Sequence, residues 1–305
     1  MSDKLKYIYT AIAKYMQCDV VQCLLLGSGD NGEVYKCELN REPKIIAIKV
    51  TNYAELMIKE KENINIINSA IDIKLPKIYF CHIADEEINC NIMAMSYIEG
   101  VSADKIHWGL NFAKKKQFTK DVVNNLITLQ SVHNNKYGAV NGEQFDNWID
   151  YYKPFAKARL DYITPLAQQG VFPKLVVDIL QMAYDNLDKI LSDCGKPTLI
   201  HGDYWIPNIL VNKNSLTFVG CVDPFNVMWA ESEYEVYAMI LYPQFKLYKQ
   251  YKKCVQVSKM FDLKARMYSL FSEVYWYQQL GKGHLGFMKW VAKKLFKQLK
   301  KHCVL

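Results

Sequence analysis

The chain has 305 residues, half of them hydrophobic and 23% charged, with a mean hydropathy of −0.12; this is a globular composition with room for two ordinary domains or one large domain with two lobes. It has no run of 18 apolar residues, and residues 1–5 lack a signal-peptide core, so neither a spanning helix nor secretion is expected. Nine scattered cysteines, an odd number without a C-x-x-C pair, point to reduced thiols in a cytoplasm rather than to a disulfide framework or a zinc site.

The net charge of +7 is unevenly spread. Residues 241–305 hold fourteen lysines and arginines against two acids, Asp262 and Glu273, a local charge of +12, which leaves −5 for residues 1–240.

In chain order, Leu5, Ile8, Ile12 and Met16 share one face of an opening helix. Residues 21–26, 34–39 and 45–50 read as strands, separated by a glycine-rich turn and a polar turn. A helix follows over 55–69, with Leu56, Ile64 and Ile67 on its inner side, and then strands over 75–80 and 91–98, the second ended by Gly100. Beyond Gly100 the period changes to 3.6, predicting helices over 112–133, 147–169, 174–193, 234–241 and 263–279. Short strand-like pieces at 198–200, 209–212 and 217–222 interrupt them. At the end, Lys289, Lys293, Lys294, Lys297, Lys300 and Lys301 interleave with Trp290, Leu295, Phe296 and Leu299 at helical spacing. That pattern predicts an amphipathic helix with a solvated lysine face, the alternative being an anionic membrane or RNA contact. The expected fold class is α+β, with a strand-rich lobe over 1–95, a hinge at 96–100 and a mostly helical lobe over 101–305.

Three motifs carry chemistry. Gly27-Ser28-Gly29-Asp30-Asn31-Gly32 is followed by a strand, where a dinucleotide fingerprint needs a helix. A glycine turn between antiparallel strands instead lays unobstructed backbone N–H groups over phosphates, with Gly27, Ser28, Gly29 and Gly32 as the contacts. Lys49, on the next strand, can reach those phosphates if a helix glutamate holds it; Glu60 and Glu62 are available, and Glu60 falls on the same side as Ile64 and Ile67. The most specific motif is His201-Gly202-Asp203-Tyr204-Trp205-Ile206-Pro207-Asn208, followed by Asp223. An aspartate facing an acceptor hydroxyl can take or orient its proton, and Asn208 and Asp223 can hold Mg²⁺, which prefers hard oxygen ligands. His201 reads as an anchor for the loop rather than a base.

Taken together, these residues resemble the aminoglycoside phosphotransferase and fructosamine kinase superfamily, which has a bilobal, protein-kinase-like fold. The H-G-D-x-x-x-x-N pattern is matched at His201 to Asn208 and the later metal aspartate at Asp223, while the glycine loop, Lys49, Glu60 and Pro76 fall in the expected order. Met95-Ser96-Tyr97-Ile98-Glu99-Gly100 matches the hinge pattern. The resemblance implies Asp203 as catalytic base, Asn208 and Asp223 as Mg²⁺ ligands and Lys49 with Glu60 on the nucleotide phosphates. It also implies Met95 as gatekeeper and backbone groups of Ser96 and Ile98 on the purine. ATP is the expected donor, with GTP left open.

The acceptor implied is a small molecule with a hydroxyl group, an aminoglycoside or related aminated sugar. A fructosamine or ketosamine is the alternative, and a nucleotide-binding pseudokinase or scaffold a more distant one. No nucleic acid is expected as a partner. Trp205 and Asp223-Pro224 lean towards the fructosamine kinases, whereas the regular glycine loop leans away from them. H-G-D, without a later D-F-G, speaks against a protein kinase of the eukaryotic type. Glu231 and Glu233 are candidates for binding a cationic acceptor, and Trp205 for a wall of its site. Where the family usually carries Asp after Tyr, this chain has Glu235, which weakens the transfer of a structural role to that position.

Overall fold

The computed structural model describes residues 3–29, 32–109 and 111–302; Asp30 and Asn31 of the glycine motif, the first two residues and Cys303 lie outside them. In chain order the elements are α1 (Asp3–Met16), β1 (Val20–Gly29), β2 (Gly32–Leu39), β3 (Ile45–Thr51), α2 (Ala54–Ala70), β4 (Ile78–His82), β5 (Asn91–Ser96) and β6 (Val101–Ser102). Then come α3 (Phe112–Gln130), β7 (Tyr137–Ala139), β8 (Gln144–Phe145), α4 (Trp148–Gln168), α5 (Lys174–Tyr184), α6 (Leu187–Ile190), β9 (Thr198–Ile200), β10 (Ile209–Val211) and β11 (Phe218–Cys221). Last are β12 (Met228–Ala230), α7 (Leu247–Cys254), α8 (Phe261–Leu280) and α9 (Leu285–Lys301). The chain forms two compact units: residues 1–114 with 207–226, and residues 115–206 with 227–305.

The first unit is built on an antiparallel sheet of order β1-β2-β3-β5-β4. Strand alternation sorts its side chains. Ile46, Ile48 and Val50 of β3 join Ile8, Ala11 and Ile12 of α1 in one core cluster, while Ala47 faces the other way, with Met57 of α2, Met93 and Met95. On α2, Ile64 and Ile67 are buried as expected, but Met57 takes the inner position expected for Leu56, which is 39% exposed. A small sheet, β11-β10-β6, completes this unit. Gly32 has φ +135°, and a Cβ there would lie 2.2 Å from the Val50 carbonyl oxygen, so only glycine fits where the loop returns to the sheet.

The expectation of reduced thiols throughout needs one correction. Cys23 and Cys37 are direct partners across β1 and β2 and form a disulfide, their Cα atoms 4.2 Å apart. Residue counts and spacing cannot see this pairing, because strand register alone creates it.

In the second unit α4, α5, α8 and α9 enclose one apolar core, beside the sheet β8-β7-β12-β9. The helix expected over 174–193 is divided into α5 and α6, and 235–241 is a 3₁₀ helix rather than α. α8 stops at Gly281, whose φ of 65° suits glycine and whose N–H caps the Tyr277 carbonyl at 3.0 Å. Among the described residues no helix is long and apolar enough to cross a membrane.

A charged group lies inside this core. Lys264 is fully buried; its Nζ is 2.8 Å from Glu231 and 3.2 Å from Glu233 and donates to the Asp193 carbonyl. Tyr268 donates to Glu231 and accepts from the Trp148 indole. Burial pulls the Lys264 ammonium towards neutrality, but Glu231, Cys194 and Glu233 outweigh it and hold its pKa above the usual range. Lys264→Met should therefore cost about 3–5 kcal/mol by leaving two carboxylates uncompensated. Urea unfolding would read this as a lowered midpoint. Burial already pushes the Glu231 carboxyl up, so it binds its proton more tightly in the folded protein than in the unfolded chain, and the deficit should shrink as pH falls towards the ordinary carboxylate range.

Candidate active site

The first unit contains a cavity of about 340 Å³ lined by Leu26, Val34, Ala47, Met95, Ile98 and Leu210, with Lys49, Lys105 and Asp223 as its charged groups. Lys49 Nζ is 2.5 Å from Glu60 Oε2 and 3.3 Å from Asp223 Oδ1. The choice of Glu60 over Glu62 follows from helix geometry: Met57, Glu60, Asn63, Ile64 and Ile67 line one side of α2, while Glu62 is exposed. Burial opposes the Lys49 charge, but Asp223 and Glu60 together hold its pKa above the usual lysine range. Burial pushes the Glu60 carboxyl up and Lys49 pulls it back.

Asn63 is a functional-site residue that the sequence reading missed. Its amide donates to the carbonyls of Pro224 (3.0 Å) and Phe225 (2.8 Å), so one face of α2 holds both the lysine and the chain just after Asp223. The available signal was an asparagine three residues after Glu60 on an otherwise apolar face. Asp223 itself has φ 56°, a left-handed conformation uncommon for aspartate, and its side chain is 52% exposed.

Asn208 and Asp223 are brought close by the β10–β11 ladder. Ile209 pairs with Cys221, and the Val222 N–H donates to the Asn208 carbonyl at 3.0 Å. Two hard-oxygen side chains at adjacent strand ends, beside a nucleotide-sized cavity, fit Mg²⁺, which takes one or two protein ligands and completes its shell with phosphates and water. No cluster of three or more His, Cys, Asp or Glu with metal-ligand geometry occurs among the described residues, so a metal cage made wholly of such side chains is not what these two residues form.

Of the hinge residues, Met95 is buried against Ala47, Met57 and Met93. Ser96 donates its N–H to the Lys77 carbonyl at 2.8 Å, and its hydroxyl accepts from the Lys77 N–H at 2.9 Å. Gly27 and Gly29 pair with Val34 and Gly32, and Ser28 with Glu33, as β1 turns into β2. A Cβ at Gly27 or Gly29 would meet nothing within 4 Å, so the steric need for glycine is concentrated at Gly32.

In the second unit β9 delivers the loop that carries Asp203. Glu235 organises that loop: its Oε2 accepts from the N–H groups of His201 (2.7 Å) and Gly202 (3.0 Å), and its Oε1 from that of Tyr204 (3.1 Å). Gly202 has φ 80° at the turn. The Tyr204 hydroxyl donates to the Val122 carbonyl at 2.9 Å and accepts from Asn125 at 3.1 Å, tying the loop to α3. The structural role that the Asp-to-Glu difference had placed in doubt is thus filled by Glu235. His201 is fully buried, with its ring edge-on to Tyr204. Trp205 is half-buried and packs edge-on to Tyr242.

The acidic cluster does not present free carboxylates to an acceptor. Glu231 is fully buried on Lys264 and Tyr268, while Glu233 accepts from the Ser258 N–H (2.6 Å) and hydroxyl (2.7 Å) and pairs with Lys264. The alternation in 231–235 turns these acids inward, where buried lysine and amide partners compensate them.

A cavity-lining lysine held by a helix glutamate, together with an aspartate loop braced by a buried glutamate, fits a protein-kinase-like phosphotransferase, and comparison with known proteins agrees. A putative fructosamine-3-kinase from Haemophilus somnus 129PT shares the fold with a TM-score of 0.69 at 15% identity, covering 95% of this chain and 97% of that one. Aminoglycoside phosphotransferase APH(4)-Ia, in a ternary complex of a thermostable mutant with AMP-PNP and hygromycin B, matches with a TM-score of 0.66 at 13% identity over 96% and 97% of the two chains. ADP-bound APH(2'')-Ib matches at 0.59 and 18% over 94% and 96%. No curated relative matches the sequence. The fructosamine kinase family model matches residues 13–299, and the chain belongs to that family. It is a small-molecule kinase with an alcohol group as acceptor and a nucleotide as co-substrate.

Burial pushes the Glu235 carboxyl up to about 7, against three backbone N–H groups that favour its charged form. Below that pH it protonates and one oxygen ceases to accept, so kcat should fall as pH drops through about 7. Glu235→Gln should flatten this limb. It should also lower kcat about tenfold or more at higher pH, since an amide side chain leaves at least one loop N–H unpaired, a loss of about 1–3 kcal/mol. A pH profile of both enzymes, with nucleotide affinity unchanged, checks this.

Proposed function

We propose that the protein is an Mg²⁺- and ATP-dependent kinase that phosphorylates a hydroxyl of a ketosamine, the product of an amine and a sugar. The observation that carries the kinase chemistry is Lys49 held between Glu60 and Asp223 at the rim of an apolar cavity. Two observations support a ketosamine over a polycationic acceptor: family membership across residues 13–299, and the internal engagement of Glu231, Glu233 and Glu235, which leaves none of them for a polyamine.

In this reading the apolar cavity takes the adenine, the Ser96 carbonyl and Ile98 backbone hold its edge, and Lys49 holds the α- and β-phosphates. Asp203 takes the proton of the acceptor hydroxyl. That oxygen then bonds to the γ-phosphorus as the bond to the β-phosphate oxygen breaks, and the proton stays on Asp203 until it passes to solvent. Asn208 and Asp223 would hold Mg²⁺, which when bound neutralises charge on the phosphates. Because Asp203 precedes Asn208 by five residues, base and metal ligand are tethered on one loop. A nucleoside triphosphate donor fits a cytoplasmic location.

An aminoglycoside acceptor, and with it antibiotic resistance, is the second reading, favoured by the fold shared with aminoglycoside phosphotransferases over nearly the whole chain. Lys49, Asp203, Asn208 and Asp223 are all present, which weighs against a pseudokinase. A coupled ADP-release assay over both acceptor classes decides between them. Saturable turnover on ketosamines is expected, and turnover confined to aminoglycosides would transfer the assignment. Asp203→Asn should lower kcat by several orders of magnitude with nucleotide affinity nearly unchanged, and full turnover by that variant would remove Asp203 as base.

A further inference from the structure

α9 buries one side and leaves the other without a partner. Met288, Val291, Ala292, Leu295 and Leu299 are fully buried in the second unit's core, where the helix packs on α5 and α8. At 3.6 residues per turn the opposite side gathers all six α9 lysines and Trp290 into an arc of about 140°. The lysines are exposed, and Trp290 is 53% exposed with the Lys294 ammonium 5.7 Å from its ring centre. Phe287 stacks on Trp290 at one margin of the arc, and Phe296 lies at the other.

This face differs from an ordinary solvated helix surface in two respects. From Val274 to the end of the sequence there are seven lysines and no acid, so Lys289, Lys293, Lys297 and Lys301 form an uninterrupted i,i+4 row of like charge, which is repulsive. The helices it packs on have ion-paired lysines, Lys174 with Asp178 on α5 and Lys264 of α8 with Glu231 and Glu233, and among the described residues no ion pair involves α9. A large aromatic ring is also kept in water among these charges, although the helix has a buried side that could hold it. An external anionic surface would relieve both conditions.

We propose that the lysine face of α9 docks the protein on an anionic lipid surface, with Trp290 at the level of the headgroups. The chemistry favours lipid over nucleic acid. The arc contains no arginine, serine, threonine or asparagine, so it offers charge without the planar forks and amides that read phosphates and bases. A ridge of lysines on a convex helix suits a flat charged plane, and tryptophan is at home at a membrane–water interface. Because the apolar side of α9 is engaged in the core, the contact is adsorption, not insertion.

The test uses the full-length protein with vesicles of phosphatidylcholine alone and of phosphatidylcholine with phosphatidylglycerol at three to one. Co-sedimentation with the anionic vesicles only is expected, with release at about 0.5 M salt, where charges are screened within a few ångströms. Lys293→Gln with Lys297→Gln should weaken binding roughly 25-fold, at about fivefold per lysine. Trp290→Phe should remove most of the blue shift in tryptophan emission that accompanies binding. Unchanged melting and ADP release show that these surface variants remain folded. No binding at low salt, equal binding to neutral vesicles, or full binding by the double lysine variant overturns the proposal. So does a single-stranded oligonucleotide that binds more tightly than the vesicles and displaces them, which would give the face to nucleic acid instead.

Discussion

Lys49 stands between two carboxylates, and the nucleotide site proposed for this kinase depends on that arrangement. Neither the lysine nor Glu60 could be buried alone: an isolated ammonium or carboxylate inside the sheet–helix interface would neutralise or stay in water. Together they fix α2 against the sheet. The neighbouring Asn63 then fixes the chain beyond Asp223 by two hydrogen bonds to its carbonyls. Asp223 completes the group in a left-handed conformation that the surrounding contacts must hold. Two anions facing one fixed cation leave a site that a further cation would complete, the condition in which phosphoryl transfer brings Mg²⁺ with its nucleotide.

The second unit solves a related problem with different parts. The loop carrying Asp203, the proposed base, exposes backbone N–H groups that must be satisfied without using the aspartate itself. Glu235 accepts three of them with one side chain. The longer glutamate serves where the family usually has aspartate, so the charge and reach of the acceptor matter more here than its exact length. Glu231 and Glu233 meet Lys264 in the same way, and a segment that reads as an acidic surface patch becomes a set of internal supports. For the acceptor site the consequence is direct: recognition of a polycation would need carboxylates other than these, which accords with a singly aminated sugar.

Much of this was legible in the residues. The glycine loop followed by a strand, Lys49, and Asp203 with Asn208 and Asp223 at their spacings specify nucleotide-dependent phosphoryl transfer, because that chemistry needs a fixed cation, a base and hard-oxygen ligands in a set order. Period-2 and period-3.6 patterns gave the main elements, and Glu60 could be chosen over Glu62 from the apolar positions that follow it. The misses have a common cause. Leu56 and Met57 are neighbours that periodicity cannot separate at the start of a helix, and an acidic run at 231–235 reads identically whether its partners are solvent or a lysine thirty residues away.

By itself, then, the sequence determined the reaction class, the order of the elements and the identity of the charged groups, since local spacing governs all three. Only the tertiary structure decided who partners whom. It joined Cys23 to Cys37 by strand register, gave Glu235 to the Asp203 loop and Lys264 to Glu231 and Glu233, and packed residues 207–226 into the same unit as residues 1–114. These are long-range pairings, set by which buried charge or unpaired amide finds compensation when the chain closes, and no window of neighbouring residues carries that information.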